Sequence, residues 1–212
     1  MVEDIIVENL RVIGYFLSAT LIPFATVILG RRIIKEKRTT GQHNNVRLII
    51  FGILFSFALM SVLEYLVELS LFPEEIFGYS ITYINLYSIL IGTMVSLGLS
   101  LVFYINRLET FYFFSLFIFG GMIIFYYLTG FSDWLELYIQ ITAVLCLSFI
   151  YFTSFRVRDN GALGLAIFFT LAFSTLVIEI SFVNQIIIFT YNIFILFFSL
   201  GLFRPFKEEV IQ

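Results

Sequence analysis

Glu64 and Glu68 stand four residues apart inside an apolar run from Leu48 to Leu71. That spacing puts both carboxylates on one face of a helix. Counting back from Leu71 at about 1.5 Å per residue, Glu64 falls roughly 10 Å inside the end of the run. In hydrocarbon a charge at such a position costs about 2.5 to 3.5 kcal/mol, so the carboxylate must be protonated, paired or opened to water. Carboxylates held this way suit a proton, a cation or an amine.

Groups able to meet them lie near the same end of other apolar runs: Tyr83, Asn85 and Tyr87, Glu136 and Gln140, Glu179, then Asn184, Gln185 and Asn192. Arg11 is the one cation available there. The pattern predicts a polar, net-acidic pocket with Glu64 at its floor and aromatic walls from Tyr65, Tyr83 and Tyr87. Its ligand-binding set is Glu64, Glu68, Tyr83, Tyr87, Glu179, Asn192 and Arg11. A competing expectation is an ion pair from Arg11 to one glutamate that ties helix ends together and binds nothing.

Other chemistries find few residues. The single histidine, His43, lies in a basic stretch, and the single cysteine, Cys146, lies in an apolar run, where it reads as a small core residue. Zinc sites need His or Cys ligands in number. The three aspartates, Asp4, Asp133 and Asp159, fall at termini or loops and cannot form an intramembrane aspartyl pair. Glu74-Glu75 resembles the glutamate pair of intramembrane prenyl-protein proteases, without the arginine and histidines that accompany it there. Neither a metal, a cofactor nor catalysis is expected.

These groups must be positioned by elements suited to lipid. Of 212 residues, 60% are apolar and 13% charged, against roughly 45 to 50% and about 25% in soluble domains. The apolar runs are continuous and do not alternate as membrane β-strands do, so the expected fold is all-α. Seven runs are each about as long as the roughly 20 residues a span requires: 10–30, 48–71, 82–104, 110–128, 135–155, 162–180 and 184–203. The chain therefore reads as one multi-pass transmembrane domain, a seven-helix bundle in the cell membrane. Met1 to Asn9 carries Glu3, Asp4 and Glu8 and no basic residue, so the first run is expected to remain as a span. Pro23 predicts a kink within it, and Arg31 to Arg47 a polar loop after it. Asp159-Asn160-Gly161 reads as a turn.

Alternating the loops tests the count independently. Arg31, Arg32, Lys35, Lys37, Arg38, Arg47, Arg107, Arg156, Arg158, Arg204 and Lys207 all fall on one side, leaving only Arg11 of the 12 basic residues on the other. The excess of Lys and Arg on cytoplasmic loops then places the amino terminus outside and the carboxyl terminus in the cytoplasm. The acids show the opposite bias. Seven spans with an external amino terminus resemble, in topology only, microbial rhodopsins, receptor-type sensors and the seven-helix input modules of some sensor kinases. The last span, Ile186 to Leu202, has no lysine to hold retinal.

Small residues recur every fourth position at Gly14 and Ser18 and at Gly92, Ser96 and Ser100, which predicts close helix approach there and a central third span. A faint repeat links Val27–Val67, Val102–Thr129 and Tyr151–Ile180, suggesting three helical hairpins and a closing helix. The expected partners are the bilayer, a small ligand or cation, and other membrane subunits or further copies of the chain. A net charge of -3 with no separate soluble domain argues against nucleic acid. Transport or sensing is the expected role; an accessory subunit of a larger membrane complex is the alternative.

Overall fold

A computed structural model of the chain describes residues 2–41, 44–69, 71, 75–76, 79–80, 85–129, 133–178 and 181–200. Among these residues seven α-helices occupy the seven apolar runs: α1 (Val2–Thr40), α2 (Asn45–Glu68), α3 (Asn85–Ile105), α4 (Tyr112–Thr129), α5 (Asp133–Val157), α6 (Asn160–Val177) and α7 (Ser181–Leu200). Between α2 and α3, Glu75–Ile76 pairs antiparallel with Tyr79–Ser80. By length and composition, four stretches can cross a membrane: Ile6–Thr40, Asn45–Glu68, Glu109–Leu128 and Trp134–Val157. The apolar stretches described in α3, α6 and α7 are shorter.

The first helix corrects the sequence reading. It does not end at Gly30 but continues through the basic segment to Thr40, 39 residues in all, and what was expected as a loop from Arg31 is largely helix. Arg, Lys and Glu are good helix formers, and no breaker intervenes before Gly41. There the chain turns at φ +71°, a conformation that favours glycine. Glu36 accepts from Arg47 Nη1 at 2.8 Å, tying the extension to the start of α2, and Ile33 is buried beneath it. Pro23 sits inside α1 without terminating it.

A second correction falls at Asp159. The turn is made one residue earlier, by Arg158 at φ 55°, while Asp159 caps α6 by accepting from the backbone N–H of Gly161 at 2.7 Å. Asn160 and Gly161 are already helical. Arg107, at φ 53° after α3, makes the equivalent turn. In both, the residue after the arginine donates its N–H five residues back, Leu108 to Phe103 and Asp159 to Ser154. Two of the three hairpins in the suggested repeat thus turn by the same device.

Contacts fix the helix directions. Gly30 lies beside Phe51 and Arg11 beside Glu68, so α1 and α2 are antiparallel. Gly98 meets Cys146, and Asn106 donates to Thr153, so α3 and α5 run parallel. Gly14 meets Ile188, and Ser18 meets Tyr191, so α1 and α7 are parallel as well. The helices α1, α2, α3, α5, α6 and α7 close a ring, and α4 packs outside it against α3 and α5. Phe117 and Tyr127 on α4 are 75% and 87% exposed, which fits that outboard position.

The ring is filled from α1, α2, α6 and α7 by Ile22, Ile53, Leu54, Phe57, Phe168 and Ile195, and from α3, α5 and α6 by Leu99, Val102, Ile150 and Ala166. Lipid tails are as apolar as these side chains, so within a bilayer close packing and interhelical hydrogen bonds hold such helices together. The small residues of α3 serve this purpose. Ser96 donates to the Ser115 carbonyl and Ser100 to the Ser115 hydroxyl, each at 2.7 Å. Asn106, just past the C-terminal end of α3, receives Arg156 Nη1 at 2.8 Å.

Candidate functional site

The buried stripe of α2 runs through Ile50, Ile53, Leu54, Phe57, Met60 and Ser61. Glu64 continues it, two turns beyond Phe57 and one beyond Met60, so helical periodicity alone carries this carboxylate inward. Phe57 packs against Phe168 and Tyr191, with ring centroids 5.6 and 5.8 Å apart. Glu64, partly buried, lies within electrostatic reach of Tyr15 on α1 and Tyr191 on α7.

Below that level a hydrogen-bonded network joins α1 to α7. The hydroxyls of Ser18 and Tyr191 are 3.0 Å apart. Asn192 donates from Nδ2 to Ser18 Oγ at 2.9 Å and to the Ile188 carbonyl at 3.0 Å. Ser18, Tyr191 and Asn192 are all buried. The network forms because Gly14 lets α7 approach: a Cβ there would stand 3.0 Å from Ile188 Cγ2 and 3.2 Å from Gln185 Oε1.

At the end of the bundle, Arg11 Nη2 meets Glu68 Oε1 at 2.7 Å, with the two side chains 46% and 21% exposed. The ion pair expected from sequence exists, and it engages Glu68 rather than Glu64. Tyr65 packs edge-on against Phe16, with centroids 5.7 Å apart. Polar groups therefore descend the seam of α1, α2 and α7 in three levels: Arg11 with Glu68, then Tyr15 with Glu64, then Ser18, Tyr191 and Asn192. Ile22 and Phe57, both buried, close the seam beneath them.

Two amide oxygens in this seam lack a donor. Asn192 Oδ1 and Gln185 Oε1, both on the side of α7 that meets α1, are buried without a hydrogen-bond partner among the described residues. An ionised carboxylate adds acceptors only. Oxygens gathered without donors suit a ligand that brings positive charge or N–H groups.

No protein-family model, curated protein or solved structure matches the chain.

Of the predicted set, Glu64, Glu68, Arg11 and Asn192 come together along one seam. Tyr83 and Glu179 lie outside the described residues, as does the side chain of Tyr87. Glu136 takes no part: it accepts from Gln140 Nε2 at 2.9 Å on an exposed face of α5. Asn184 donates to the Thr175 carbonyl on α6 at 3.3 Å. Tyr15 and Tyr191 are the site residues that sequence reading missed. Gly14 and Ser18 held the usable signal, since they mark a close helix approach on α1, though not which helix makes it. A group of three or more His, Cys, Asp or Glu side chains able to hold a metal is absent among the described residues.

Proposed function

We propose that this chain is an integral membrane protein of seven spans. Its amino terminus lies outside and its carboxyl terminus in the cytoplasm, and an outward-opening polar site takes a small cation or amine in transport or sensing. The alternating helix directions support the span count. The orientation is supported by the gathering of Arg31, Arg32, Lys35, Lys37, Arg38 and Arg47 at one end of the α1–α2 hairpin, opposite Arg11.

One observation carries the functional reading. Arg11 is engaged by Glu68, while Glu64, on the inner stripe of α2, lies within electrostatic reach of Tyr15 and Tyr191, and the same seam holds the partnerless oxygens of Gln185 and Asn192. A carboxylate in that setting lacks a basic partner among the described residues, and a bound cation or ammonium group supplies one. The buried Ile22 and Phe57 below the polar levels support a site open at one end only.

Thermal unfolding in detergent tests this. Sodium, potassium and methylammonium chlorides are titrated at constant ionic strength, balanced with choline. At least one cation should raise the wild-type midpoint saturably, and Glu64→Gln should lose that rise while keeping the wild-type midpoint in choline alone. Equal responses in wild type and variant would remove the site. The second reading, an accessory subunit, draws on α4, whose outboard phenylalanines could seat another chain. It forecasts purification with stoichiometric partners and no cation response.

A further inference from the structure

A cavity of about 80 Å³ lies between α2, α3, α5 and α6, away from the polar seam. Its wall includes Phe57, Met60, Met94, Cys146 and Phe173, and no residue lining it carries a charge. The space is lined by small side chains on two helices, Ala143 on α5 and Ala172 on α6, while Gly98 on α3 seats Cys146 Sγ against its backbone. Phe57 and Ile150 on its wall are 3% and 2% exposed, while Met94, Leu147, Phe169, Ala172 and Phe173 are only partly buried, so the space is half open to its surroundings. Phe57 divides the two regions, since its ring packs on Tyr191 of the polar network and also lines the cavity.

We propose that this cavity is a binding site for one small, uncharged apolar molecule that partitions from hydrocarbon. The wall selects this class. Water held in a protein interior needs two to four polar partners, and an apolar cavity stays dry yet takes up benzene or xenon. An ion would have no ligating oxygen to replace its hydration shell. The two methionines and the cysteine contribute polarisable sulfur, and the phenylalanines contribute ring faces, so the attraction is dispersion over the whole surface of the guest.

The probe is xenon, applied under pressure to crystals of the full chain. An anomalous peak bounded by Phe57, Met94, Cys146 and Phe173 is expected in the wild type. It should vanish in Ala143→Leu and in Ala172→Leu, which fill the space from α5 and α6 independently, with retained thermal unfolding showing that each variant folds. If only one folds, that variant decides. A wild-type crystal without the peak overturns the proposal, as does a peak that persists in a folded filled variant. Lipid density running continuously from the bilayer into the cavity also overturns it, because the space would then be a packing gap for an acyl chain.

Discussion

Ser18 on α1 and Tyr191 on α7 bring their hydroxyls within 3.0 Å across 173 residues of chain. Ser18 also receives Asn192 Nδ2, so one small side chain serves two buried partners. Removing the shared hydroxyl leaves both short of a partner, at a cost of about 1 to 2 kcal/mol. Ser18→Ala should therefore lower resistance to unfolding in dodecyl sulfate by that amount. Tyr191→Phe should cost less, because Ser18 keeps Asn192. Equal and negligible losses in the two variants would show that the network does not hold α1 to α7.

Gly98 and Gly120 offer a sharper contrast. A Cβ on Gly98 would stand 2.6 Å from Cys146 Sγ, whereas one on Gly120 meets nothing within 4 Å. Gly120→Ala should be neutral or gain up to about 1 kcal/mol from helix propensity. Gly98→Ala should lose about 1 to 3 kcal/mol through overpacking. Adding Cys146→Ala to Gly98→Ala should recover most of the loss in the same unfolding assay. A double variant no better than the single one would place the strain elsewhere.

Much of this fold could be read from the sequence because lipid leaves few ways to satisfy a backbone. Continuous apolar runs had to be helices, and Gly14 with Ser18 marked a close approach that the structure places against α7. Where α1 ends was not legible. Hydropathy reports where Leu and Ile give way to Arg and Lys, but those residues continue a helix readily, and only Gly41 stops it. The pairing of Arg11 was equally hidden, since Glu64 and Glu68 share a face and the choice depends on the tilt between α1 and α2. The cavity was beyond reach for a different reason: it is the volume left over when four helices pack, and no residue encodes it alone.

The Arg11–Glu68 pair is partly exposed, so it should contribute little energy. A double-mutant cycle with Arg11→Ala and Glu68→Ala should give a coupling below about 1 kcal/mol that shrinks as salt rises. A coupling several times larger would mean that Arg11 also supports the Glu64 carboxylate, and the cation site would lose its reason to exist.

The proposed orientation makes a separate forecast. In a Cys146→Ala background, Glu8→Cys and Lys37→Cys sit on exposed positions at opposite ends of α1. A membrane-impermeant maleimide added to intact cells should label the first and spare the second until the membrane is broken. The reverse pattern would invert the topology and turn the acidic seam toward the cytoplasm.

Because α3 meets α5 directly, the ring is complete without α4. A wall that needs no help from the helix leaning on it leaves that helix's far side free to change. Random substitution should accumulate harmlessly on the outward phenylalanines of α4 in the isolated protein. Any intolerance that appears there only in living cells would locate a neighbour.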